Sequence, residues 1–243
     1  MKILITICAR GGSKGIPGKN IKSLAGKPLI EYTFDIAKIF KQKMGDCDIA
    51  ISTDSEEIIS VSKKLGFDVP YQRPKVHATD TAGKIGAIND VLIFYENVYK
   101  KKYDYILDLD VTSPLRNLTD LSNAFHLFLM NPEAENIFSV SPANRNPYFN
   151  MVEVGNDGYC HLIKALPSNV LSRQMAPKVF DMNASFYFYR RRFFDKGFNS
   201  AITDKSIIYE VPHICFDLDH QHDFDFLSFL IENNRIDFDW LLK

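Results

Sequence analysis

A chain of 243 residues, 46% hydrophobic and 24% charged, is long enough to bury one substantial core with a small appendage. No apolar run approaches the ~20 residues that a bilayer span needs. The formal net charge of -1, from 29 basic and 30 acidic residues, argues against general nucleic-acid binding. The first apolar stretch, Ile3 to Ala9, runs straight into Arg10, which is not the pattern of a signal peptide. The four cysteines, Cys8, Cys47, Cys160 and Cys215, have no C-x-x-C spacing and three lie in apolar, strand-like segments. They read as unpaired thiols in a reducing cytoplasm, with no membrane partner expected.

In chain order, Lys2 to Ala9 reads as a strand buried on both faces and feeding a glycine-rich loop, Arg10 to Asn20. Pro28 opens a predicted helix running to about Gln42, and Asp48 to Ser52 is the next strand. Asp54-Ser-Glu-Glu57 offers a helix N-cap, for which Asp54 is the favoured residue. A helix from Thr81 to about Tyr99 precedes a strand, Tyr103 to Leu109, whose end delivers Asp110. Strands are expected at Asn136 to Val140, Tyr148 to Val154 and Ser185 to Tyr189. Arg190 to Tyr209 has no clean period, and Asp223 is placed to cap a last helix, Phe224 to Asn233. Strands alternating with helices predict an α/β domain: a mostly parallel central sheet with helices on both faces, and ligands at the C-terminal strand ends.

The first loop carries the chemistry. Gly11, Gly12, Gly15 and Gly18 are expected to allow positive φ and close approach of backbone N–H groups to an anion. Arg10, Lys14 and Lys19 add charge-assisted donors for phosphate oxygens. The first 30 residues hold six Lys/Arg and no acid, so the positive charge is local and suits a polyphosphate. A Walker A loop is excluded, because Ser13 stands where its first Gly belongs and Asn20 follows Lys19. The dinucleotide G-x-G-x-x-G fails at Ser13 as well. A plain surface turn is the competing reading.

Two Asp-Leu-Asp triplets follow, Asp108 to Asp110 and Asp217 to Asp219. On a strand, residues two apart share a face, so each triplet presents paired carboxylates. Beside a phosphate loop such pairs suit Mg²⁺. His220 and His222 lack the spacing of a helical zinc site.

The segment ICARGGSKGIPGKNI, together with Asp110-Val-Thr-Ser-Pro-Leu-Arg116, Arg173-Gln174 with Asp181-Met-Asn-Ala-Ser185, and Phe216-Asp-Leu-Asp219, resembles the motifs of the CMP-sialic acid synthetases. Asp-Leu-Asp-Val-Thr-Ser-Pro-Leu-Arg, Arg145-Asn-Pro-Tyr-Phe-Asn150 and Arg-Gln-x-Ala-Pro-Lys look most like the branch that activates legionaminic-type sugars. The resemblance implies a Rossmann-like nucleotidyltransferase fold over the whole chain. It also implies a homodimer in which a segment around residues 145–210 reaches into the sugar pocket of a second subunit. The implied reaction is CTP plus a nine-carbon 2-keto sugar acid giving a CMP-sugar and pyrophosphate.

Arg10 and Lys19 would act at the triphosphate with Gly11, Gly12, Ser13 and Asn20, and Asp217 and Asp219 would hold Mg²⁺. Arg73, Asp110, Thr112, Ser113, Arg116, Arg173, Gln174 and Asn183 complete the implied substrate contacts. Asn183 could equally satisfy local backbone, and Tyr148 and Phe149 could pack on acyl groups or simply in the core. Two positions depart from the usual pattern. Asp110 stands where sialic acid enzymes carry Gln, and Lys84 where many carry a small hydroxyl residue near the base. The rival readings are an N-acetylneuraminate or a Kdo cytidylyltransferase, an Asp-x-Asp glycosyltransferase and a silent nucleotide-binding protein.

Overall fold

The computed structural model describes residues 1–13, 15–168, 171–236 and 238. In chain order the elements are β1 (Ile3–Cys8), β2 (Ser23–Leu24), β3 (Lys27–Pro28), α1 (Leu29–Met44), β4 (Cys47–Ser52), α2 (Glu56–Lys64), α3 (Lys84–Tyr99) and β5 (Tyr105–Leu109). Then come α4 (Leu118–Met130), β6 (Asn136–Pro142), β7 (Val152–Val154), β8 (Cys160–Leu162), β9 (Phe180–Arg190), α5 (Arg191–Asp195), β10 (Ser206–Glu210) and α6 (Gln221–Glu232).

The main sheet has six strands in the order β10-β6-β9-β5-β1-β4. Only β9 runs antiparallel to its neighbours, β5 and β6; the pairs β10–β6, β5–β1 and β1–β4 are parallel. Strand alternation sends side chains to two layers. Ile3, Ile5 and Ile7 pack with Leu29, Phe34 and Phe40 of α1 and Phe125 of α4, whereas Leu4 joins Ile88, Leu92 and Tyr95 of α3 and Phe193 of α5. Helices therefore cover both faces, as the alternating pattern predicts.

Several differences from the sequence reading have local causes. Helix α4, absent from that reading, begins at a capping box in which Asn117 and Asp120 exchange side-chain-to-backbone bonds of 2.9 and 2.8 Å. Of Tyr148 to Val154 only Val152–Val154 is extended, because Asn146 gathers the N–H groups of Tyr148, Phe149, Asn150 and Met151 into a turn. The aperiodic stretch after Arg190 contains α5 and β10, an edge strand paired only with β6. Helix α2 is capped by Ser55, whose hydroxyl accepts the Ile58 N–H, and Asp54 takes a different role below. Helix α6 starts at Gln221, three residues before the expected Phe224, with His220 at its cap; Asp223 lies in the first turn and closes the capping box by accepting the His220 N–H at 2.7 Å.

Candidate active site

From β1 the chain goes through α1 to β4 on one side and later to β5 on the other, so a crevice opens outside the carboxyl ends of β1 and β5. This is the ligand-binding position of open α/β sheets. The glycine loop leaves β1 there, Asp110 follows β5 there, and Thr53 and Asp54 follow β4 on the same edge. The N-terminus of α3 also faces it; Gly83 at the cap supplies no side-chain acceptor for the first amides. Such an end favours an anion. Together they enclose a cavity of about 370 Å³ whose walls include Arg10, Ser13, Lys19, Asn20, Arg73, Lys84, Asp110, Thr112 and Asp219.

Donors in the loop already meet oxyanions. Arg10 Nη1 lies 2.7 Å from Asp80 Oδ1, and the Gly11 N–H donates to Asp54 Oδ1 at 2.9 Å. Gly12 is exposed beside them, and Lys14 lies outside the described residues. Of the four loop glycines only Gly18 is left-handed (φ 63), which turns the chain into a 3-10 turn, Lys19–Ile21. Gly15 serves close approach instead: a Cβ there would sit 2.1 Å from the carbonyl oxygen of Asp219. The Asn20 amide donates to the Arg10 carbonyl at 2.9 Å, closing the loop on itself. Arg73 spends Nε and Nη2 on Ser52, at 2.9 and 2.8 Å, and its Nη1 has no partner among the described residues.

Lys19 is not the solvent-facing lysine that a flexible loop suggests. Its side chain is 12% exposed, and Nζ donates to the Leu218 carbonyl at 2.5 Å and lies 3.8 Å from Asp219 Oδ1. The loop and the second acidic triplet are thus one assembly. That triplet belongs to no strand; it is held by the Leu218 N–H on the Thr112 carbonyl (2.9 Å) and by the Ser113 hydroxyl on the Phe216 carbonyl (3.1 Å).

The two carboxylate pairs differ. In the first, Asp108 Oδ1 accepts from the Thr6 hydroxyl at 2.7 Å, and Asp110 Oδ1 accepts the N–H and hydroxyl of Thr112, each at 3.1 Å. Both Oδ2 atoms face Lys84 Nζ, at 2.7 and 2.6 Å. The first pair already has its cation. In the second pair Asp219 is exposed, while Asp217 Oδ1 is buried with no hydrogen-bond partner among the described residues. Burial, and then the charge of Asp110, push the Asp217 carboxyl up to about 6. A buried carboxylate oxygen without a hydrogen bond, beside an exposed second carboxylate, fits a divalent cation. No cluster of three or more His, Cys, Asp or Glu side chains suited to a metal occurs among the described residues, so an ion here would draw further ligands from phosphates, as Mg²⁺ does.

Other expected contacts lie elsewhere. Ser113 is fully buried and holds the Phe216 carbonyl. Arg116 is fully buried and donates to the carbonyls of Ser113 and Ser185 and to the Thr33 hydroxyl, at 2.7, 2.8 and 2.7 Å. Burial brings its guanidinium down to about 10. These two side chains fasten the Asp110 to Arg116 loop to the core and do not line this cavity. Asn183 is 4% exposed, with its carbonyl taken by Ser139 and the Ser185 N–H and its amide by Ser141. It satisfies local structure. Arg173 and Gln174 are exposed on a 3-10 turn, Arg173–Met175, outside the cavity wall; Arg173 donates to the Asn144 carbonyl.

Sequence reasoning missed Asp54, Asp80 and the Lys84 clamp. Asp54 and Ser55 are adjacent and both competent to cap, so spacing alone could not separate them. Asp80 sits in a segment with no period, and only the alternation of strand, polar loop and helix hints that it returns to the sheet edge. Cys8 also lines the cavity, and burial pushes its thiol up to about 12, which disfavours the thiolate.

A family model described as cytidylyltransferase matches residues 4–233. The chain is 39% identical, over 97% of both chains, to the post-translational flagellin modification protein B of Campylobacter coli. It is 38% identical, over 95% of both, to the CMP-N,N'-diacetyllegionaminic acid synthase of Campylobacter jejuni, and 30% identical to a pseudaminic acid cytidylyltransferase of that species, over 97% of this chain and 98% of the other. Among solved structures, a CMP:2-keto-3-deoxy-manno-octonic acid synthetase complexed with CTP superposes with a TM-score of 0.68 at 15% identity, covering 96% of this chain and 100% of that one, which shows the shared fold. The chain belongs to the cytidylyltransferase family.

Proposed function

We propose that this cytidylyltransferase moves CMP from CTP to the anomeric hydroxyl of a nine-carbon 2-keto sugar acid of the legionaminic type, releasing pyrophosphate. The observation that carries the reading is the meeting of the phosphate loop with the second acidic pair, Lys19 Nζ lying 3.8 Å from Asp219 Oδ1 on the wall of one cavity. The 38% identity to a CMP-N,N'-diacetyllegionaminic acid synthase, over nearly the whole of both chains, supports the sugar class.

In this reading Arg10, Ser13, Lys19, Asn20 and the amides of Gly11 and Gly12 hold the triphosphate, and Arg73 offers Nη1 to it. The sugar's anomeric oxygen forms the new bond to the α-phosphorus as the bond to the β-phosphate breaks. Pyrophosphate departs and the hydroxyl proton passes to solvent. Mg²⁺ held by Asp217 and Asp219 would supply charge neutralisation for the phosphates and acidify the attacking hydroxyl. Lys19 keeps Asp219 oriented and adds a fixed positive charge where negative charge accumulates on the leaving group.

A homodimer completes the proposal. All six residues of the β7–β8 hairpin are exposed, and Val154, Tyr159 and Leu171 are 70%, 72% and 79% exposed. An isolated hairpin of this kind is marginal in water, so a second copy is the natural cover, and Arg173 and Gln174 beside it would then serve the neighbour's sugar site. No helix among the described residues is long and apolar enough to cross a membrane. We place the reaction in the cytoplasm, where CTP is made and where four unpaired cysteines are stable.

Side-by-side kinetics at saturating CTP test the sugar. We expect kcat/KM for N,N'-diacetyllegionaminic acid to exceed that for N-acetylneuraminic acid at least about tenfold, or ~1.4 kcal/mol. Equal rates or the reverse preference would reject the legionaminic assignment and leave the cytidylyl transfer standing.

A further inference from the structure

We propose that Lys84 is a positioning residue that acts as a permanent cation for Asp108 and Asp110, so that this active site takes one divalent ion where its two carboxylate pairs would otherwise take two. The inference rests on the nucleotide-and-metal reading above. Nζ sits 2.7 Å from Asp108 Oδ2 and 2.6 Å from Asp110 Oδ2, so an ion bridging those oxygens would have to occupy the same place. The remaining oxygens of the pair are committed to Thr6 and Thr112.

The location of this lysine is itself informative. It is the first residue of α3, where the helix dipole disfavours a cation. Its ammonium also lies 5.4 Å from the Tyr187 ring centroid, over a floor where Asp108 has no exposed surface. Burial opposes its charge, and the charges of Asp108 and Asp110 outweigh that effect and hold its pKa well above the ordinary value. Two neighbouring carboxylates in a dry floor repel unless something positive is shared between them. Lys84 is that shared charge.

The test counts Mn²⁺ bound to the nucleotide-free full-length protein by electron paramagnetic resonance, with Mn²⁺ alone as the probe. Lys84→Met keeps an unbranched side chain one atom shorter and removes the charge. We expect one Mn²⁺ per chain in the wild type and two in Lys84→Met, the added ion vanishing in Lys84→Met/Asp110→Asn. Mn²⁺ should also raise the melting midpoint of Lys84→Met more than that of the wild type.

One ion in both proteins, with Lys84→Met folded, would overturn the proposal while leaving the Asp217–Asp219 site intact. No ion in the wild type and one in Lys84→Met would support the clamp and show that the second pair holds its ion only with the nucleotide's phosphates. Should Lys84→Met fail to fold even in Mn²⁺, Lys84→Met/Asp108→Asn removes equal and opposite charges. Recovery of folding in that double variant supports the shared-cation role, and persistent misfolding refutes it.

Discussion

Alanine at Gly15 should disable this enzyme without unfolding it, because of one contact. A Cβ at position 15 would lie 2.1 Å from the Asp219 carbonyl oxygen, a backbone atom that no side-chain rotation can move. Lengthening that contact even to 3.0 Å, the shortest that Cβ atoms make, demands a shift of about 1 Å between the phosphate loop and the acidic segment. A misplacement of that size costs on the order of 100-fold in rate, or about 2.7 kcal/mol of transition-state stabilisation. The fold should lose only about 1–3 kcal/mol, the usual range for overpacking. Gly12 in the same loop is the control, since its Cβ would meet nothing within 4 Å. The assay is pyrophosphate release from CTP for Gly15→Ala and Gly12→Ala, with melting curves for both. We expect Gly12→Ala within about twofold of wild type and Gly15→Ala down roughly 100-fold. Equal behaviour of the two variants would show that the loop does not rest on Asp219, and the joint site would fall with it.

Two further substitutions probe the supporting structure. The Asp217 carboxyl is held at about 6, against an ordinary 3.8, so its contribution to stability is full below pH 3.8 and is lost as pH rises through 6. In EDTA, Asp217→Asn should therefore be more stable than wild type by roughly 2–3 kcal/mol at pH 7.5 and no more stable near pH 3.8; coincident melting midpoints at pH 7.5 would contradict this. Arg116→Met strands buried acceptors on Ser113, Ser185 and Thr33 and should cost roughly 4 kcal/mol of stability. It should leave KM for CTP within about twofold below the melting transition, and a KM effect with unchanged stability would restore Arg116 to the substrate.

The sequence made legible whatever rests on periodicity or on a dense local motif. The apolar run of β1, the glycine loop and the strand that delivers Asp110 each follow from neighbouring residues, whereas the last helix starts at Gln221, three residues before its expected start. Long-range pairing is less visible. Nothing local to Lys84 says that its ammonium crosses to Asp108 and Asp110, and nothing local to Lys19 says that it is covered by Leu218 and Asp219, 199 positions or more away. Arg116 shows the same limit from the other side. An arginine at the end of a motif reads as a ligand for substrate, yet here it is fully buried and ties the motif to the core. Chain order shows which residues reach the sheet edge; only the packing shows which of them face the cavity.

The central claim is a transfer of the CMP group, and phosphorus NMR of the complete reaction tests it most directly. With enzyme, Mg²⁺, CTP and N,N'-diacetyllegionaminic acid, the α-phosphorus of CTP should become a sugar phosphodiester while one pyrophosphate appears for each, and neither should form without the sugar. CDP with inorganic phosphate, or pyrophosphate release that ignores the sugar, would contradict the account.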